Sequence, residues 1–351
     1  MDQGLELIRI AHEFDGRRVL DGVDLAVGPG EVVSLLGPSG SGKSTCLRIA
    51  AGLEAVQEGE VRIDGRLVAN TATHTPPEAR QAGLVLQDFA LFPHLTVLDN
   101  VAFGLKGSKP ERRARARDLL DRVGLAGFAE TYPHTLSGGE QQRVALARAL
   151  APEPKVMLMD EPFSSLDVTL RAALREETAA LLKKRGVPTL IVTHDPQEAM
   201  ALSDRIAVMR EGRILQTGAP HEIYKTPANP FVMGFFGETN RLAAQADGAK
   251  VETPFGPVSA LELAEGAPVD ICIRAEDIEI APQGVPATVL AVTPKDGQDR
   301  VVLALRDGTK LVTTCPAFGM VQEGAELFVD VAPDKARIFA AEDEAGGPLN
   351  P

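Results

Sequence analysis

The chain has 351 residues, 44% of them hydrophobic, a formal net charge of −13 and three cysteines. That length suits about two domains and that apolar content a real core, while the acidic balance argues against a nucleic-acid binder, which spreads a basic face over phosphates. No run approaches the roughly 18 continuous apolar residues of a membrane span, and the start Met1-Asp-Gln-Gly-Leu-Glu6 lacks the basic and apolar stretches of a signal peptide. A cytoplasmic protein is therefore expected. Cys46, Cys272 and Cys315 have neither C-x-x-C nor metal-ligand spacing, so they read as small packing residues of a reducing compartment. The charge is uneven: residues 241–351 carry 9 basic and 18 acidic side chains, which leaves −4 for residues 1–240.

In chain order, the first informative element is the buried strand predicted at Val32–Leu36, followed by Gly37-Pro-Ser-Gly-Ser-Gly-Lys-Ser-Thr45 and a helix over Thr45–Ala51 stopped by Gly52. The loop fits G-x-x-x-x-G-K-[ST], with Gly37, Gly42, Lys43 and Ser44 at the fixed places. Glycines let the backbone close around phosphate oxygens. The amides of Gly40, Ser41, Gly42, Lys43 and Ser44 can point inward at a helix N-terminus whose dipole favours anions. Lys43 supplies a cation for the β- and γ-phosphates, and the Ser44 hydroxyl suits a Mg²⁺ ion bridging them. Ser39 and Thr45 complete the predicted nucleotide-binding loop.

A strand follows at Leu84-Val-Leu-Gln87. The basic cluster Glu111-Arg-Arg-Ala-Arg-Ala-Arg117 opens a helix to about Val123 and reads as a solvated face, because Leu119, Leu120 and Val123 supply an apolar side. Leu136-Ser-Gly-Gly-Glu-Gln-Gln-Arg143 joins a glycine pair to a helix over Gln141–Leu150, which makes Ser137, Gly138, Gly139 and Glu140 a second phosphate-sized anion site. The strand Val156–Asp160 ends in the pair Asp160-Glu161. There Asp160 can hold the metal through water, and Glu161 can face the γ-phosphate and polarise the attacking water. Strands at Thr189–Thr193 and Ile206–Met209 complete an α/β domain with a substantial parallel sheet, whose ligands belong beyond the strands' carboxyl ends. After Asn240 short apolar runs at residues 250–256, 269–273, 287–292, 301–305 and 327–331 predict an all-β barrel, with Arg306-Asp-Gly-Thr309 as a hairpin turn and Glu342–Pro351 as a loose end.

Two phosphate grips on one chain suggest a sandwich, and at this point the sequence resembles the ATP-binding subunits of ABC transporters over nearly its whole length. The resemblance implies a P-loop ABC-type ATP-binding domain over residues 1–238 and an OB-like TOBE domain over 239–345. It implies that Leu136–Glu140 is the signature motif, which closes on the nucleotide held by a second copy of the chain. Gln87 matches the Q-loop glutamine that contacts the metal and senses the membrane subunit, and Ser165-Leu166-Asp167 the loop crossing between subunits. His194 matches the switch histidine that orients the water and Glu161. Phe14 lies where the family places a ring to stack on adenine, and a core phenylalanine is the alternative reading. Asp88-Phe-Ala-Leu-Phe-Pro-His94 resembles the surface that docks on two permease subunits, with Phe89 and Phe92 either exposed for docking or packed in a helical subdomain. Phe89–Leu105 resembles the version found in bacterial importers, which work with an external solute-binding protein. Arg274-Ala-Glu-Asp277 resembles the Arg-Pro-Glu-Asp segment of their regulatory domain, with Ala275 in place of proline. The implied chain is a peripheral ATPase on the cytoplasmic face of the membrane. Phe235-Phe-Gly-Glu-Thr-Asn240 resembles both the ferric-iron and the polyamine branches, and the expected cargo is ferric iron, with a polyamine or sugar as alternative. A non-transport ABC ATPase, the remote alternative, would need a coiled-coil insertion or a basic DNA face.

Overall fold

Burial alternates over the second half of the strand Arg17–Val27 but is interrupted along Leu5–Phe14, and these strands build an antiparallel sheet that the motif reading did not contain. The computed structural model describes residues 4–341 apart from 165, 167, 260–263, 296 and 317–318, with backbone alone for 168–170. The expected loose end at Glu342–Pro351 lies outside them. Two compact units divide the chain, Met1–Lys225 and Thr226–Pro351.

The first unit runs β1 (Leu5–Phe14), β2 (Arg17–Val27), β3 (Val32–Leu36), α1 (Lys43–Ala51), β4 (Glu58–Ile63), β5 (Arg66–Asn70) and β6 (Ala82–Val85). It continues through α2 (Val97–Ala102), α3 (Lys109–Arg122), α4 (Gly138–Leu150), β7 (Val156–Asp160), α5 (Val168–Arg185) and β8 (Thr189–Thr193). It closes with α6 (Pro196–Leu202), β9 (Arg205–Arg210), β10 (Arg213–Gly218) and α7 (Pro220–Lys225). A four-stranded antiparallel sheet, β2-β1-β4-β5, packs with α1 against a six-stranded sheet of order β10-β9-β3-β8-β7-β6. In the second sheet β9, β3, β8, β7 and β6 are parallel. α4 and α5 cover its other face, where Met157, Met159, Ile191 and Phe163 are buried.

This order decides where the chemistry goes. β3, β8, β7 and β6 are consecutive neighbours in register, Leu36 with Thr193, Val192 with Asp160 and Met159 with Val85. Their carboxyl ends therefore deliver the glycine loop, His194, Asp160-Glu161 and the Gln87 loop to one edge. Strands β3, β7 and β8 have the predicted bounds, since each is a wholly buried five-residue run. β6 ends at Val85, before the predicted Gln87, because Phe89 and Ala90 turn the chain at φ 60° and 44° and the Phe89 amide donates back to Leu86. The predicted helix at Gln141 starts earlier, at Gly138. The basic helix is α3, capped by reciprocal bonds between Ser108 and Glu111.

The second unit holds α8 (Pro230–Phe235), β11 (Thr239–Asp247), β12 (Lys250–Thr253), β13 (Gly256–Ser259), β14 (Pro268–Arg274) and β15 (Glu279–Ala281). β16 (Val285–Lys295), β17 (Gln298–Leu305), β18 (Lys310–Cys315), β19 (Glu326–Asp330) and β20 (Arg337–Ala340) follow. The expected barrel is resolved as two five-stranded antiparallel sheets, β13-β12-β11-β14-β20 and β15-β19-β16-β17-β18. They share one core containing Ile271, Ile273, Val301, Leu303 and Val329. Asn240 ties them: its amide donates to the carbonyls of Ile273 on β14 and Val312 on β18, and its carbonyl accepts from the Val312 amide. The predicted turn is present, with the Leu305 amide donating to Thr309 and the Asp307 carboxylate accepting from the Thr309 amide. The three cysteines are free and buried, and burial pushes the Cys46 and Cys272 thiols up to about 12.

Candidate active site

The glycine loop is shaped by what its glycines exclude. A Cβ on Gly37 would lie 2.2 Å from the Met209 carbonyl oxygen on β9. Gly42, the N-cap of α1, sits at φ 103°, and a Cβ there would meet a Leu20 methyl at 2.6 Å. Ser39 and Gly40 are exposed at the tip, Ser41 is buried, and Thr45 is half-buried on α1. Lys43 is 4% exposed and its ammonium donates to the carbonyls of Gly37 and Pro38, each at 2.8 Å. Two of its three protons are held by the loop and one is left for a ligand. Burial pushes the Lys43 pKa down, and the carboxylates of Glu161 and Asp160 act in the opposite direction.

The Ser44 hydroxyl donates to the Asp160 carboxylate at 3.0 Å, which joins the loop to β7. Burial raises the Asp160 pKa first of all; the Ser44 bond and the Arg48 and Lys43 charges lower it, and Glu161 raises it further. A nearby cation would relieve the same penalty. Among the described residues no group of three or more His, Cys, Asp or Glu side chains could hold a metal by itself. A hydroxyl and one carboxylate instead fit Mg²⁺, which takes few protein ligands and completes its shell with phosphates and water. Glu161 follows at φ 44°, anchored by its amide on the Val192 carbonyl. Its carboxylate lies 3.0 Å from Nδ1 of His194. Direct contacts thus join Ser44 to Asp160 and Glu161 to His194, and Lys43 lies within electrostatic reach of both carboxylates.

Other predicted residues stand apart. Gln87 is exposed two residues beyond β6, at the same sheet edge. Ser137 and Glu140 bond each other: the Ser137 amide and hydroxyl both donate to the Glu140 carboxylate at 2.8 Å, and the Ser137 oxygen accepts from the Glu140 amide. These bonds leave Gly138 exposed and Gly139 buried in the first turn of α4. Phe14 is 43% exposed at the end of β1, its ring edge-on to buried His12 at 4.5 Å. It is not a core residue. Ser165 and Asp167 lie outside the described residues.

In the docking segment the two phenylalanines left open by the sequence divide between the alternatives. Phe89 is 6% exposed and belongs to the core, whereas Phe92 is half-buried and packs on Phe103 at 4.5 Å, with Phe103 exposed. Arg148 of α4 holds this loop, donating to the Phe89 and Ala90 carbonyls and lying over the Phe92 ring. Asn100 knits it from beneath through the Phe92 amide and the Phe92, Leu95 and Thr96 carbonyls. The motif reading missed both residues.

Behind His194, Glu198 of α6 is 2% exposed and accepts from the Thr193 hydroxyl. Burial pushes its pKa from 4.5 up to about 7, opposed by the Thr193 bond and the Arg175 charge. The folded state holds this proton more tightly than the unfolded chain, so stability falls as pH rises from 4.5 to about 7 and stays lower above. At 1.36 kcal/mol per unit the penalty is on the order of 3 kcal/mol. Glu198→Gln should raise the melting temperature at pH 8 and leave it nearly unchanged at pH 5. Stability lost at pH 8 would instead show that the ion pair with Arg175 outweighs burial.

A phosphate loop, a hydroxyl-carboxylate pair suited to Mg²⁺ and a glutamate braced by a histidine define a nucleoside-triphosphate hydrolase site on a parallel sheet. The family model for the ABC transporter matches residues 20–164, and that for the TOBE domain residues 271–339. The sulfate/thiosulfate import ATP-binding protein CysA 2 of Chromobacterium violaceum is 45% identical over 83% of this chain and 80% of its own. The spermidine/putrescine import protein PotA of Marinobacter nauticus is 41% identical over 88% and 87%, and the Fe(3+) ions import protein FbpC of Streptomyces avermitilis 43% over 95% and 96%. Among solved structures, the dimeric post-hydrolysis ATP-binding cassette MJ0796 with ADP and Pi is similar at TM-score 0.55 and 35% identity, over 62% of this chain and 98% of that one. The chain belongs to the ABC transporter family, as an ATP-binding subunit of the bacterial importer class with a TOBE domain. It binds ATP and is an ATPase.

Proposed function

We propose that the chain powers ferric-iron import through separate membrane subunits, and that it does so as an ATP-bound dimer. The observation that carries the hydrolytic reading is the 3.0 Å contact between His194 and Glu161 at the strand ends beside Lys43 and Ser44. Lys43 and the amides from Gly40 to Ser44 bind the phosphates, with Gly37, Ser39 and Thr45 completing the loop, and Phe14 offers its exposed ring to the adenine. Ser44 and Asp160, with Gln87, would hold Mg²⁺, which supplies charge neutralisation at the β- and γ-phosphates. Glu161 takes the proton of the attacking water, and His194 holds that carboxylate in place while its other nitrogen is free for the γ-phosphate. Ser137, Gly138, Gly139 and Glu140 complete the partner copy's site.

Phe103 and Phe92, next to the Gln87 loop, form the docking surface for two permease subunits, which in turn receive solute from an external binding protein. The relatives named as import ATP-binding proteins support a peripheral place on the cytoplasmic face of the membrane, and among the described residues no helix is long and apolar enough to cross it. For the cargo, the iron-import relative that aligns over 95% of the chain supports ferric iron, while the segment Phe235–Asn240 fits the iron and polyamine branches alike. Relatives named for sulfate and polyamine import are similar to the same degree, at 45% and 41% identity, so these solutes and sugars are the alternatives. Cells whose own copy is replaced by Glu161→Gln should lose uptake of labelled ferric iron and retain that of putrescine, sulfate and maltose. Loss of any of the other three with iron uptake intact would discard this cargo.

A further inference from the structure

Arg171, in the first turn of α5, is claimed by no step of the hydrolytic scheme, yet it lies where three parts of the site meet. One of its Nη2 bonds is to the Leu166 carbonyl at 2.8 Å, with the Ser164 carbonyl at 3.5 Å. Its other terminal nitrogen, Nη1, is 3.8 Å from Oδ2 of Asp195, the residue after His194. Arg175, one turn on, donates to that same oxygen. The second Asp195 oxygen caps α6, accepting from the Gln197 and Glu198 amides, and the Asp195 amide donates to Thr193. His194 is thus held from both sides by groups that lead back to α5.

The Leu166 end of this link is equally constrained. Leu166 is 5% exposed, and a Cβ on Gly138 would meet its methyl at 3.2 Å, so the signature turn rests on this side chain. The chain between Leu166 and Glu161 is knit by the Leu166 amide on Phe163 and by the Ser164 amide and hydroxyl on the Glu161 carbonyl. These bonds connect Leu166 to Glu161 through Phe163 and Ser164.

We propose that Arg171 is a positioning residue for hydrolysis, which ties the segment under the signature turn to the Asp195 carboxylate behind His194 and so fixes the Glu161–His194 geometry. A planar guanidinium suits this task, because its separate N–H groups can serve a carbonyl and a carboxylate at fixed directions, whereas an ammonium concentrates its protons at one point. The proposal rests on the roles given above to Glu161 and His194.

The test compares wild type, Arg171→Ala, Arg171→Lys and His194→Ala, measuring kcat and KM for ATP together with the His194 imidazole resonance, assigned from the spectrum of His194→Ala. Arg171→Ala should lower kcat by about ten- to a hundredfold, the range for a misplaced catalytic group, with KM for ATP within about twofold. The His194 resonance should move. Arg171→Lys, which keeps the charge, should melt with wild type and still lose turnover, and it carries the test if the alanine variant does not fold. Wild-type kcat and an unmoved His194 resonance in Arg171→Lys would overturn the proposal. The two readings fail separately: if His194→Ala retains turnover the role of His194 falls, and if it loses turnover while the Arg171 variants keep theirs, only the positioning role falls.

Discussion

Lys43→Ala is expected to lose ATP affinity by roughly 30- to 1000-fold, the equivalent of about 2 to 4 kcal/mol for truncating a hydrogen-bonded charge in a desolvated site. The loop invests in this lysine before any ligand arrives. Its ammonium is drawn under the backbone of Gly37 and Pro38 at 2.8 Å, and burial works against its charge, opposed by Glu161 and Asp160. A phosphate adds its own negative charge to that of the two carboxylates and so stabilises the ammonium further. The fold should survive, because Gly37, Gly42 and the buried face of α1 shape the loop independently of the side chain. Titration with a fluorescent ATP analogue and a thermal melt check both parts. Wild-type affinity in a folded Lys43→Ala protein would contradict the loop's assignment.

Glu161→Gln should cut ATP turnover by about 10²- to 10⁴-fold, the usual contribution of a general base, while leaving ATP binding intact. The substitution preserves shape, and the amide can still meet His194 Nδ1. The backbone at φ 44° is as costly for glutamine as for glutamate, so the change falls on the proton acceptor. Single-turnover phosphate release measures it. Turnover within tenfold of wild type would move the base elsewhere.

How much of this was legible depends on how local each signal is. The glycine loop, Asp160-Glu161 and His194 could be placed from the sequence because each follows a wholly buried five-residue strand whose end is marked by polar residues. The Ser137–Glu140 turn was placed from its glycine pair, but its capping box, which starts α4 at Gly138 rather than Gln141, was not read. The antiparallel sheet of β1, β2, β4 and β5 was not legible: β1 changes register between Leu7 and Ile10 and again before His12, which breaks the alternation a strand needs to announce itself. Arg148 was missed because its partners, the carbonyls of Phe89 and Ala90, lie 59 and 58 residues earlier, and backbone carbonyls leave no trace in a side-chain pattern. The burial of Phe89 could not be separated from the partial exposure of Phe92, because two non-glycine residues at positive φ decide which way that loop turns.

In the proposed dimer two copies of the chain share two ATP molecules, each held by one glycine loop and closed by the other copy's Ser137–Glu140 turn. Light scattering of Glu161→Gln in ATP and Mg²⁺ tests it most directly, since this variant should hold ATP without consuming it. A mass that doubles with ATP and returns to one chain with ADP is the predicted result, and a protein that stays monomeric at saturating ATP and Mg²⁺ would contradict the shared site.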